Sequence, residues 1–362
     1  MTLREAFAKQ PNLLDALRLF FALFVLLAHC WPLAYGAEVP GVVQPSYEIV
    51  LRATNRQLFG GTLAVLFFFL LSGFLVTESY TRCSGLVDYL RRRALRIYPG
   101  YVVAMLLTAF GFAWAFATRP GEWLLEFPWT KYVPRLVGLH MCVTPEAFAS
   151  NPYPLQPNGS LWTIAHEFWC YILVATLGLL GLLRSQLLLW GLFGAAWGVW
   201  NWQMLVDPLI VPQMRLFVFG KADAWPMLLT FFLAGVLAHR YADRIRLHGG
   251  IFLACVLALV VTARTSGLTL VVPFATTYAI FWIAFADVPF LRALTKRGDL
   301  SYGVYLYAWP VQQSLLAAWP TTFVGSPWVL ALAATPLVLG IAVLSWHFVE
   351  APFLRRKRRP TV

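Results

Sequence analysis

Apolar runs of about twenty residues recur along the whole chain, separated by short stretches that carry most of the charge. An α-helix of that length rises about 30 Å, the thickness of a bilayer's hydrocarbon core. The runs predict ten helical spans, at residues 13–33, 61–80, 98–117, 160–182, 186–204, 224–239, 249–264, 268–286, 301–319 and 328–348. A soluble domain of this size would alternate apolar and polar faces, and this chain does not. The pattern therefore predicts an all-α, polytopic membrane bundle. It forms one transmembrane domain over residues 1–350, followed by a basic tail over 351–362. The first run ends near Ala34-Tyr35-Gly36, which resembles a signal-peptidase site, but it is longer than an h-region and carries Asp15 and Arg18. It is read as a retained span.

Composition agrees with the pattern. Hydrophobic residues make up 60% of 362 positions and charged residues 12%, against roughly 25% charged in soluble domains. The net charge of +12 would suit nucleic acid if it were gathered on one surface. It is instead dispersed in clusters between apolar runs, as in the cytoplasmic loops of membrane proteins, so no nucleic-acid partner is expected. With the N-terminus inside, twenty of the twenty-eight Lys and Arg residues fall on the inner side, among them Arg4, Arg82, Arg91, Arg240, Arg292, Lys296, Arg297 and the tail residues Arg355–Arg359. The bias places both termini in the cytoplasm and the lipid bilayer around the chain.

Ionisable side chains inside spans are costly and mark candidate sites. In the first span Arg18 and His29 are eleven residues apart, which brings them to within roughly 20° of one helix face and about 16 Å apart along it. Asp15, one turn before Arg18, can hold its guanidinium. An imidazole titrates near neutrality and can take a proton from a hydroxyl and return it. The fourth span opens on GSLWTIAHEFWCY, residues 159–171, with Glu167 about two turns inside. A carboxylate there needs a partner, and His29 is the candidate at matching depth; the alternative is a structural ion pair or a protonated glutamic acid bonded between helices. His166 points about 100° away and is read as an interfacial filler.

The second apolar run closes on Ser72-Gly73, small residues that permit close helix approach or passage of a thin ligand chain. An inner loop then carries Arg82, Arg91, Arg92, Arg93 and Arg96 ahead of Tyr98-Pro99-Gly100. Arg92 and Arg96 are i and i+4, so their guanidiniums could clamp one phosphate, although topology signalling alone would also account for the cluster. The longer outer segment, 118–159, is rich in aromatics: Trp123, Phe127, Trp129, Tyr132 and Tyr153. These could stack on sugar rings or form an interfacial belt. The five cysteines have no metal-ligand spacing and are read as packing residues, with a Cys30–Cys142 disulfide left open; no metal is expected.

Taken together, LLDALRLFFALFVLLAHC, FFFLLSGFLV, YLRRRALRIYPGY, GSLWTIAHEFWCY, SYGVYLYAWPVQQ and SWHFVEAPFLRR resemble the acyltransferase 3 family of integral-membrane acyltransferases, in order over nearly the whole chain. The resemblance implies about ten spans and transfer of an acyl group from cytoplasmic acyl-CoA, acetyl-CoA first, to a glycan or lipid-linked sugar outside. It implies a bacterial inner membrane. It carries catalytic roles to His29, Arg18 and Glu167, and donor binding to Arg92, Arg93 and Arg96, with Ser72 and Glu350 in further family segments. The nearest subgroup reads Pro-Tyr-Glu where this chain has Ala165-His166-Glu167, so no role passes to His166. The expected route brings the thioester to His29 near the outer side, where His29 deprotonates a sugar hydroxyl or is itself acylated first. A transporter or flippase without acyl transfer is the rival reading.

Overall fold

The structure, a computed structural model, describes residues 1–9, 12–36, 49–265, 267–286, 288 and 298–355. It is 75% helical with almost no strand. The main helices are α1 (Leu3–Ala8), α2 (Leu14–Tyr35), α3 (Gly60–Thr81), α4 (Leu86–Leu107), α5 (Ile164–Leu179), α6 (Gln186–Leu205), α7 (Trp225–Arg240), α8 (Gly249–Arg264), α9 (Leu268–Ala284), α10 (Ser301–Ala318) and α11 (Pro327–Ser345). A two-stranded antiparallel hairpin, Arg215–Leu216 with Gly220–Lys221, precedes α7. Each of the ten segments predicted as spans holds a helix. Among the described residues, six helical stretches are long and apolar enough to cross a membrane: Leu14–Tyr35, Gly60–Thr81, Leu86–Ala115, Ser160–Leu179, Ala222–Arg240 and Pro327–Arg355. Arg292, Lys296, Arg297 and the tail from Arg356 onward lie outside the described residues.

Two expectations about local structure need correction. The arginine cluster is not a loop, because α4 begins at Leu86 and carries Arg91, Arg92, Arg93 and Arg96 on its first turns. Arginine is a good helix former, and Asp88 in the first turn favours the positive end of the helix dipole. Ser72 and Gly73 do not close a helix either; both are interior to the 22-residue α3.

The chain divides into two compact units, each made of three stretches: Met1–Arg18, Ile49–Arg91 and His166–Arg297 in unit 1, and Leu19–Glu48, Arg92–Ala165 and Gly298–Val362 in unit 2. In unit 1, α3 packs along α7 through paired glycines. A Cβ on Gly73 would sit 2.0 Å from the Phe232 carbonyl oxygen, and one on Gly235 would sit 2.0 Å from that of Leu70. Only two bare backbones can approach that closely. Helix α1 docks on the segment after α7 by backbone hydrogen bonds, Leu3 N–H to Ile245 O at 2.8 Å and Arg4 N–H to Ala242 O at 3.0 Å. Arg4 then reaches the buried Glu78 on α3 at 3.0 Å, where Arg82 (2.5 Å) and His239 Nε2 (2.6 Å) converge on the same carboxylate. A buried carboxylate is tolerable only when surrounded in this way.

In unit 2 the organising element is α10, whose side chains are buried on every face over most of its length. A helix of that kind belongs at a centre rather than at a surface. Its interior Pro310 has no N–H for the Leu306 carbonyl four residues back. Asn158, fully buried, supplies the missing donor, its Nδ2 lying 2.9 Å from Leu306 O.

Candidate functional site

His29 lies on α2 within unit 2, half-buried, with the edge of its ring against the Trp309 indole at 4.9 Å. Its Nδ1 is buried and has no hydrogen-bond partner among the described residues. Trp309 is fixed in turn: its Nε1–H donates to Gln156 O at 2.8 Å, and Tyr153 packs edge-on at 5.4 Å. Gly159 makes the space, since a Cβ there would meet the indole at 2.7 Å. That gives the glycine of the GSLW segment a physical reason. Next to it, Tyr305 donates to Ser160 O at 2.5 Å and shares a 2.6 Å hydrogen bond with the Thr163 hydroxyl. Gln313 Nε2 donates to Tyr153 O and Gln156 O, while its Oε1 accepts from Asn151 Nδ2 at 2.7 Å. Positions 302, 305, 309 and 312 share one face of α10. That stripe ties the outer segment and α2 to a single helix.

On α4, Arg92, Arg93 and Arg96 belong to the same unit as His29. Arg96 already has a partner within the unit. Its guanidinium is paired with Asp299 and lies 5.7 Å over the Tyr302 ring. Asp299 Oδ1 also accepts from the Ser301 N–H at 3.2 Å at the start of α10, and the Tyr302 hydroxyl donates to Ile97 O at 2.9 Å. Sequence reasoning did not single out Asp299. The available signal was an acid two residues before a serine that opens a helix, the spacing of an Asx turn. Glu350, in the other family segment, is buried and accepts from the Ser345 hydroxyl at 2.9 Å.

Unit 1 holds Arg18, Ser72 and Glu167. Asp15 does accompany Arg18, with its Oδ1 3.8 Å from a guanidinium nitrogen. The unit boundary falls between Arg18 and Leu19, so Arg18 and His29 share one continuous helix but not one unit. Ser72 is half-buried on α3. Glu167 accepts a hydrogen bond from the Tyr171 hydroxyl one turn on. The reading of His166 as an interfacial filler is overturned. The residue is fully buried, its Nε2 is 3.0 Å from Lys221 O, and its ring packs on Trp225 at 4.9 Å. It anchors the hairpin before α7.

The sugar-stacking alternative for the outer aromatics fails for three of them. Trp123, Phe127 and Tyr132 are buried in a cluster around Phe110, with Phe127 4.8 Å from Phe110 and 5.0 Å from Tyr132. Their faces are occupied by one another. Cys30 and Cys142 are both free and buried, and burial pushes the Cys142 thiol up to about 12.

The acyltransferase-domain model of the acyltransferase 3 family matches residues 12–347. The chain is 29% identical over 361 residues to an O-acetyl transferase of Shigella phage Sf6, covering 96% of this chain and 97% of that protein. It is 28% identical over 364 residues to nodulation protein 10 of Rhizobium leguminosarum bv. viciae, covering 95% and 93% respectively. No solved structure matches. The family match and the phage relative together support an O-acetyltransferase. A chain matched by this family from its first long helix to its last belongs to it: this is a membrane-embedded acyltransferase of the acyltransferase 3 family.

Proposed function

We propose that this enzyme transfers an acyl group, acetyl first, from cytoplasmic acyl-CoA to a hydroxyl of an extracytoplasmic or lipid-linked glycan, in a bacterial inner membrane crossed ten times with both termini inside. The observation that supports the chemistry is His29, an imidazole with one nitrogen sealed in the protein while the residue keeps partial exposure. His29 removes the proton of the acceptor hydroxyl as its oxygen attacks the thioester carbonyl carbon. The tetrahedral adduct then collapses, the C–S bond breaks, and the CoA thiolate takes the proton back from His29. Acylation of His29 first, followed by transfer to the hydroxyl, balances equally. The family resemblance carries further roles to Glu167, as a carboxylate, and to Arg18, as a cation. Arg92 and Arg93 are assigned to the donor phosphates, and the family resemblance adds Ser72 to the donor-binding residues. Arg96 supports the start of α10 through Asp299 and contributes positive charge.

The reaction is tested by incubating purified enzyme with acetyl-CoA labelled in the acetyl group and a glycan acceptor. Label is expected on the glycan as a hydroxylamine-labile ester; label confined to the donor contradicts the proposal. Orientation has its own test. Asn151 and Asn158 are buried, so the outer reporter belongs on the exposed Ser150, with Arg91 as the inner one. An impermeant thiol reagent is expected to label Ser150→Cys in intact cells and Arg91→Cys only after permeabilisation. The reverse pattern would put the donor site on the wrong face.

A further inference from the structure

Of the buried side-chain polar atoms in unit 2 that lack a hydrogen-bond partner among the described residues, two have opposite needs. One is His29 Nδ1, and the other is the Oε1 of Gln312, a residue with no exposed surface. Gln312 lies one turn beyond Trp309 on α10, and Trp309 touches the His29 ring. Its amide nitrogen donates to Leu26 O at 2.8 Å and lies 2.9 Å from Cys30 Sγ. On a helix, 26, 29 and 30 are neighbours on one face, so the Gln312 amide grips the turn that carries His29. The Leu26 carbonyl can only accept, which fixes the amide with nitrogen toward α2 and leaves Oε1 as an acceptor without a donor. A general base that reacts through Nε2 needs its proton on Nδ1, and that N–H has no acceptor among the described residues. Each orphan atom is what the other lacks, and leaving either unmet in a buried site is costly.

We infer that Gln312 is the positioning partner of His29: a small rotation of the imidazole closes an Nδ1–H to Oε1 hydrogen bond. That bond holds the tautomer whose Nε2 lone pair faces the acceptor hydroxyl. The arrangement follows the logic of an amide or carboxylate behind a catalytic histidine. Trp309 limits the ring's travel, with Gly159 and Gln156 holding the indole in place. No bond to substrate involves Gln312, so its effect falls on turnover rather than on donor binding. The inference rests on His29 as the proton-transfer group.

The test compares Gln312→Leu, His29→Ala and the double variant, each per mole of monodisperse purified protein. Gln312→Leu is expected to lower kcat by about 10–100-fold, the usual scale for a partner that orients an active imidazole, with KM for acetyl-CoA unchanged. On the His29→Ala background it is expected to lower the residual rate no further, because the two residues act as one unit. Gln312→Glu, which keeps an oxygen at the same reach, is expected to recover part of the loss. An equal loss on both backgrounds would make Gln312 a packing residue and overturn the inference. Full activity of Gln312→Leu beside an inactive His29→Ala would overturn it while leaving the role of His29 intact. An active His29→Ala would remove the reading on which both rest. Should Gln312→Leu fail to fold, the Gln312→Glu comparison on both backgrounds carries the same decision.

Discussion

His29→Ala is expected to cut acyl transfer to a small residual rate while the protein still inserts and purifies. Loss of a positioned general base costs about 10²–10⁴-fold, and loss of a covalent nucleophile costs no less, so the outcome holds for either route. The fold should survive because the ring's aromatic neighbour among the described residues, Trp309, is held independently through Gln156 and Tyr153. Glu167→Gln is expected to fall between wild type and His29→Ala, since an amide keeps the hydrogen bond from Tyr171 but loses the charge. The check is turnover per folded enzyme with saturating donor and acceptor. Near-normal turnover of a well-expressed His29→Ala protein would remove the histidine from the reaction.

The second large effect concerns the donor. Arg92→Lys together with Arg93→Lys keeps the positive charge that orients the chain and removes two planar forks. Charge-assisted hydrogen bonds worth about 1.5–3 kcal/mol each are at stake, so the apparent constant for acetyl-CoA should rise by roughly one to two orders of magnitude. Turnover at saturation should change little. Arg96 is left out because its guanidinium holds Asp299 at the start of α10, and a lysine there would mix packing damage with ligand loss. Unchanged donor saturation in the double lysine variant would confine these arginines to topology and move the donor site elsewhere, with Arg18 and the segment at Arg240, Arg244 and Arg246 next.

The helices were legible because each is a long apolar run, a signal that survives without knowledge of tertiary contacts. Where reading failed, local sequence and tertiary partner pulled apart. The arginines from Arg91 to Arg96 looked like a loop because they are charged, yet they sit on the first turns of α4, and Asp299 accounts for Arg96 alone. No feature of residues 91–96 points to a carboxylate two hundred positions away. His29 and Arg18 stood out as charges within an apolar run. Gln312 did not, because a glutamine in an apolar helix is uncharged and its meaning lies in what it reaches: Leu26, Cys30 and the turn of His29. His166 was misjudged for the same reason, since its burial depends on Lys221 and Trp225. Long-range polar partners are the part of a membrane site that a single sequence hides.

The proposed reaction consumes a thioester to modify a glycan, whereas a transporter would move a molecule across the membrane unchanged. The most direct measurement uses purified protein in sealed vesicles, with acetyl-CoA on one side, glycan acceptor on the other, and free CoA thiol as the readout. Thiol release is expected only when both substrates are present, in proportion to ester formed on the glycan, and is expected to fall to a small residual rate with His29→Ala. Passage of the glycan across the bilayer with no thiol released would contradict the account and leave a transporter in its place.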